Sequence, residues 1–281
     1  MDESLANLKM KTYLYLILLT SLTCCLMPQV SVGQEAENEV LPAKLAIIAI
    51  GPKPAREFGN RNGAKKSSGS VLLPPNPGEI PPRRLYLERD EKEDGEENTE
   101  LESIQVTFNS PSHFVEVPAN RMLIFKRRGD DEFRKYVTVK PLVAGSKHII
   151  LLRPSGKGGQ RWVSAPFQYR INLLNEALAN KRLVVMNLSR RSITSIVHED
   201  KKVITAGGFL AYEAIDGLKL HRVSAFYGRE KKVIYHTAVK LNKEATHLLL
   251  YVFYDANPNT NDGRTVGLFK ASVDRSSEKD D

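Results

Sequence analysis

The segment Asp255-Ala256-Asn257-Pro258-Asn259-Thr260-Asn261-Asp262-Gly263 carries side-chain oxygens at nearly every second position, the spacing at which a calcium loop presents its ligands. Asp255, Asn257, Asn259, Asn261 and Asp262 would be the donors. Thr260 stands where such a loop needs glycine, and Val266 stands where it needs a bidentate acid. A plain Asn/Asp/Gly turn accounts for the same residues. The chain is therefore expected to hold no metal, and these five residues are the candidates if it does. His198-Glu199-Asp200 sets an imidazole beside two carboxylates, but Lys201-Lys202 follows and short apolar runs flank it, as at a polar hairpin tip. Ser155-Gly156-Lys157-Gly158-Gly159 has the composition of a phosphate loop without its leading glycine spacing or following helix. No Gly-x-Ser-x-Gly elbow occurs. No catalytic residue and no cofactor is expected on these grounds.

Two weaker chemistries remain. A glycosidase needs two carboxylates facing across a cleft, which linear spacing does not specify. The single Trp162, with Tyr212, Tyr227, Tyr251 and Tyr254, would be the aromatic platforms for a sugar. Asn187-Leu188-Ser189 matches a glycosylation sequon. Asn187 ends an apolar run, as Asn109 does, and both asparagines are expected to form turns.

The start of the chain bears on all of this. Lys9 and Lys11 precede a weakly polar to apolar run over residues 12–27, shorter than the roughly 20 residues of a comfortable membrane span. Ser31-Val32-Gly33 offers small residues to a signal peptidase. Residues 1–33 are expected to be an export signal cleaved after Gly33, leaving a periplasmic or extracellular protein. An uncleaved anchor, or a lipid on Cys25, would instead tether the chain to a membrane. Both cysteines, Cys24 and Cys25, lie in this segment. A cleaved chain then has no disulfide, no thiolate nucleophile and no cysteine metal site.

The chain has 281 residues, with 41 Lys+Arg against 33 Asp+Glu and a net charge of +8, which invites a nucleic-acid partner. Export argues against one, and so does the scatter of the basic residues. Their one cluster, Lys126, Arg127 and Arg128, is followed by Asp130, Asp131 and Glu132, a pattern that suits a solvated hairpin tip. The partners expected are anionic envelope polymers or another envelope protein.

The elements that must position these groups are strands. Residues 34–79 combine one strand, Leu45-Ala46-Ile47-Ile48-Ala49-Ile50, with a Pro/Gly/Lys-rich preamble. Residues 88–102 hold nine acids and two bases, an acidic insertion expected to be extended and solvated. Its charge of −7 leaves about +15 elsewhere. From 103 to 273, short apolar runs alternate with Asn, Gly and Pro turns, which predicts an all-β sandwich or barrel. One short helix is expected over 173–178, capped by Asn172.

An internal repeat organises the strands. At a constant offset of 99, Gly129 falls on Gly228, Tyr136 on Tyr235, Thr138 on Thr237, Leu142 on Leu241, His148 on His247 and Leu151 on Leu250. Each copy is expected to finish with a strand, over 162–171 and 265–273, and the strand ending in Asn109 is expected to match the one ending in Asn187. The architecture predicted is two tandem antiparallel β-sandwich-like units, 80–171 and 172–273, with a charged tail at 274–281. Residues kept in both copies are expected to serve the fold, the tyrosines by burying a ring and bonding the hydroxyl.

In the Asn187-Leu188-Ser189 strand and the runs over 233–239 and 247–254, the chain resembles uncharacterised exported bacterial proteins. These have a signal peptide, a Pro-rich preamble and tandem β repeats. The resemblance implies the architecture and no activity or site.

Overall fold

A strand that is apolar at every position has to be covered on both faces, whereas one that alternates needs cover on one. Residues 45–50, 149–152, 183–186 and 248–254 are of the first kind, and a computed structural model shows what covers them. The chain falls into two units, residues 1–40 and 41–281. The structure describes residues 41–54, 58–59, 71–72, 74–76, 78–88, 101–129, 132–157, 160–227, 229–257 and 265–275. The proposed signal with Gly33 and Cys25, most of the acidic insertion and nearly all of the charged tail lie outside the described residues.

The protein is all-β. The first half supplies β1 (Ala43–Ala49), the short partners β2 (Phe58–Gly59) and β3 (Val71–Leu72), β4 (Arg84–Glu88), β5 (Leu101–Gln105), β6 (Thr107–Phe108), β7 (Val115–Val117), β8 (Leu123–Arg128), β9 (Phe133–Val139), β10 (Lys147–Arg153) and β11 (Phe167–Asn172). The second half supplies β12 (Lys181–Asn187), β13 (Ile193–Val197), β14 (Asp200–Ile204), β15 (Phe209–Glu213), β16 (Ile215–Tyr227), β17 (Glu230–Leu241), β18 (His247–Asp255) and β19 (Val266–Asp274).

Each half makes two larger sheets in the same order, and β2 and β3 pair as a separate two-stranded sheet of the first half. One sheet of the first half runs β11-β10-β1-β6, with β7 also on β1, and the other runs β5-β4-β8-β9. The second half repeats them as β19-β18-β12-β15 and β14-β13-β16-β17. Most pairs are antiparallel, but β1 with β10, β1 with β6 and β12 with β18 are parallel. The pairs β1–β10 and β12–β18 are each joined by a long crossover. That connection carries the strands of the β4–β9 sheet in one half and of the β13–β17 sheet in the other.

Side-chain alternation then places three cores. Leu45, Ile47 and Ala49 of β1 face Leu85, Leu87, Leu123 and Phe125 across the first sandwich. Leu183 and Val185 of β12 face Ile193, Val223 and Val239 across the second. The intervening residues, Ala46, Ile48, Ile149 and Leu151 on one side and Val184, Met186, Leu250 and Val252 on the other, form a third core between the halves. The sheets containing β1 and β12 are thus buried on both faces, which is why their central strands are unbroken apolar runs.

Four expectations need refinement. Strand β1, assigned from sequence to the preamble, lies in the middle of the first half's inner sheet, because a strand's own pattern does not reveal a partner about a hundred residues away. Trp162 lies in a turn, and β11 begins at Phe167, just after Pro166. The helix over 173–178 is a single 3-10 turn, Glu176–Leu178. Asn175 caps it by accepting the Ala177 N–H at 2.8 Å, while Asn172 accepts the Leu174 N–H at 3.1 Å.

The fourth concerns Asn109 and Asn187. Leu151 pairs with Ile48 and its repeat-mate Leu250 pairs with Val184. Carried on three residues, that register equates Asn187 with Gly51, not with Asn109. Asn109 instead bonds Gly51 with its side chain, accepting the N–H at 3.1 Å and donating to the carbonyl at 2.8 Å. The backbone of Asn187 makes the corresponding bonds with Gly208 and Gly207.

Candidate functional site

The parallel pairs β1–β10 and β12–β18 both end at the same edge of the molecule, where the two halves meet. At and just past these strand ends lie Gly51 and Pro52, Arg153 and Pro154, Arg190, and Tyr254 and Asp255, which line a cavity of about 350 Å³. That volume is at the small end of ligand pockets. Ser155, Gly156, Lys157, Arg161 and Phe167, from the β10–β11 loop and the start of β11, complete it.

Packing fixes the walls. A Cβ on Gly51 would stand 3.2 Å from Pro154 and 3.3 Å from the Trp162 ring, so only glycine leaves both where they are. A Cβ on Gly156 would stand 2.5 Å from the Gln160 carbonyl, so glycine lets the loop fold back on itself. Ser155 Oγ–H ties the loop to the Ala165 carbonyl at 2.7 Å.

Among the described residues, four cations and one acid line the cavity. Arg153 spans the junction, with Nη1 donating to the second half's Leu188 carbonyl at 3.0 Å. Its guanidinium lies 4.8 Å from the Phe167 ring centroid, and its buried Nε has no partner. Arg161 Nη1 reaches the Pro52 carbonyl at 3.5 Å. The Asp255 carboxylate accepts the Arg190 N–H at 3.0 Å and stands 3.4 Å from Arg190 Nε. Lys157 is exposed. Arginine forks suit carboxylate and phosphate oxygens. Phe167 is 50% exposed, an aromatic surface in a cationic wall.

The sequence candidates fall as follows. Asp255 is engaged by Arg190, and Asn259, Asn261 and Asp262 lie outside the described residues. Asn257 is described and has an interaction partner. Among the described residues no group of three or more His, Cys, Asp or Glu is placed to hold a metal ion. His198 and Glu199 form an exposed turn between β13 and β14, with His198 at φ 56°, and Asp200 pairs with Lys202 at 2.8 Å. Asn187 is fully buried. Its Nδ2 donates to the Arg191 and Ile204 carbonyls and its Oδ1 accepts from Ser189, so the sequon is internal. Trp162 is fully buried and offers no platform, as do Tyr212, Tyr251 and Tyr254 at under 10% exposure.

The repeat-equivalent residues occupy matching places with unequal surroundings. Tyr136 is buried and donates to the Trp162 carbonyl at 2.8 Å. Burial raises its phenol well above the usual range, against the pull of nearby Arg127. Tyr235 is half-buried, with Lys270 over its ring at 5.5 Å. Thr138 and Thr237 are half-buried, Gly129 opens the β8–β9 turn, and Gly228 lies outside the described residues. His148 is buried against Ser146 Oγ at 2.6 Å, whereas His247 is exposed. Burial, and secondarily Arg170, lowers the His148 pKa to about 4.

Two groups have no counterpart in the sequence reading. The cationic cavity is one: its charges come from three distant segments, and only the tertiary fold gathers them. The other is a buried chain in which Tyr212 donates to Ser195 Oγ at 2.8 Å and Ser195 Oγ meets His221 Nε2 at 3.1 Å. Ser195 and His221 are both fully buried, and burial lowers the His221 pKa to about 4. This serine–histidine pair is closed to substrate and is part of the core. No protein-family model matches the chain, and no curated protein matches it.

Proposed function

We propose that the protein is an exported, non-enzymatic binding protein of the bacterial periplasm or cell surface, and that its ligand is anionic. The observation that carries this is the cavity at the junction of the two halves, where, among the described residues, Arg153, Lys157, Arg161 and Arg190 face one carboxylate, Asp255. Opposite charge at close range in a partly enclosed site attracts an anion more strongly than scattered surface charge does. The small residues before position 34 and the confinement of cysteine to residues 24 and 25 support export. Both buried serine–histidine pairs lie away from solvent, which supports binding over catalysis.

The test is calorimetric titration of galacturonate and of inorganic phosphate into the purified protein at low salt. Saturable binding with Kd on the order of 1 mM is expected for a single small anion. Lys157→Gln with Arg190→Gln should weaken it at least tenfold, since both side chains are exposed and their loss leaves the cores intact. Absence of saturable binding by either anion overturns the reading.

A further inference from the structure

A second cavity, about 780 Å³, lies on the first half; among the described residues its charged lining is Arg83, Arg127, Arg128 and Arg134 with one acid, Glu132. Glu132 is paired with Arg134 at 2.7 Å. The acidic insertion leaves β4 at its far end, Glu88, whereas Arg83 precedes its first residue; five residue steps put roughly 16 Å between them. The two cavities share a chain segment: Arg161 lines the junction cavity and its neighbour Trp162 lines this one.

Trp162 is the partition. Its ring packs beside Gly51 of the junction cavity. Its backbone N–H donates to Gly78 of the second cavity at 2.9 Å. Its carbonyl accepts from Tyr136 and from Arg127, the latter at 3.1 Å. The wall between the cavities is thus held in place from both sides.

Resting on the anion-binding reading above, we infer that the two cavities form one track for a linear acidic polysaccharide, a chain of uronate sugars crossing the Trp162 wall. Repeated carboxylates match arginine forks on both sides. The half-exposed Phe167 ring gives a sugar face a surface to rest on. A single small anion would use one cavity. A polymer engages both, and the second engagement is intramolecular, which raises affinity by about 10²–10⁴ without new kinds of contact.

The experiment titrates galacturonate, an octamer of galacturonate and a polyphosphate of eight residues into the purified protein at fixed salt. The octamer is expected to bind at least a hundredfold more tightly than the monomer and at least tenfold more tightly than the polyphosphate. Arg83→Gln with Arg128→Gln, both exposed, should weaken the octamer at least tenfold and leave monomer binding unchanged. Equal affinity for monomer and octamer, or indifference of the octamer to that variant, overturns the track while monomer binding still supports the junction site. Polyphosphate binding as tight as the octamer's overturns the saccharide assignment. Loss of binding by all three anions removes the anion-binding reading itself.

Discussion

The cores of the two sandwiches occupy the same place in the same topology and are filled differently. In the first, β4 presents Leu85 and Leu87, and β8 presents Leu123 and Phe125, with the Trp162 side chain closing the space. In the second, the corresponding β13 presents Ser195 between Ile193 and Val197, and β16 presents His221 beside Val223 and Ala225. His221 lies 5.5 Å from the Tyr251 ring at 21° and 5.7 Å from the Tyr235 ring at 74°. One strand order thus accepts either filling, and each leaves a buried ring nitrogen without a partner, Trp162 Nε1 in the first core and His221 Nδ1 in the second. In the second filling Tyr212 and Ser195 are partnered, and His221 Nδ1 is the atom left over. Topology is set by which positions face inward, and the chemistry at those positions is free within that limit.

The comparison can be broken most sharply by emptying the apolar core. Phe125→Ala should cost about 3–5 kcal/mol, measured as a fall in the urea midpoint, because a fully buried ring leaves a cavity among stiff neighbours. A variant that keeps wild-type stability would show that the first core is not close-packed.

Acid should act through the polar core. His221 titrates at about 4 in the fold and near 6.5 when unfolded. Between those values the unfolded chain takes up a proton that the native state refuses. The stability is therefore complete above pH 6.5 and is lost as pH falls through 4, by about 3 kcal/mol. His148, also lowered to about 4, adds to the loss in the same direction. The triple variant Ser195→Val, Tyr212→Phe, His221→Leu gives the second core the apolar character of the first. Its urea midpoint should depend less on pH between 7 and 4, the remainder belonging to His148. An unchanged pH profile would remove His221 from the account.

Asn109→Ala tests the place where the halves use different bonds for the same backbone position. It should cost about 1–3 kcal/mol, since Gly51 loses partners for both its N–H and its carbonyl. Amide exchange at Gly51 should accelerate while the second-half counterpart, Asn187, is unaffected. The smallest effect is expected from Tyr136→Phe, about 1 kcal/mol, for one buried hydrogen bond to the Trp162 carbonyl.

Much of this fold was legible because local pattern reports burial. The runs 149–152, 183–186 and 248–254 are apolar throughout and mark strands covered on both faces, and Tyr136 and Tyr235 at offset 99 mark corresponding strands of two like halves. The position of β1 was not legible, because a strand's partner after a long connection depends on which edge is open, and no local signal encodes that. The cavity was hidden for a similar reason. Arg153, Arg161 and Arg190 look scattered in order and become neighbours only when the strand ends of both halves meet.

By itself, then, the sequence determined the all-β class, many of the turns and the tandem plan, because these rest on periodicity and on residues such as Asn and Gly that act within a few positions. The tertiary structure alone decided that the halves pack through their β1 and β12 sheets, that Trp162 is a buried partition, and that dispersed arginines converge. Those outcomes depend on which faces and strand ends come together, and that is a property of the assembled layers.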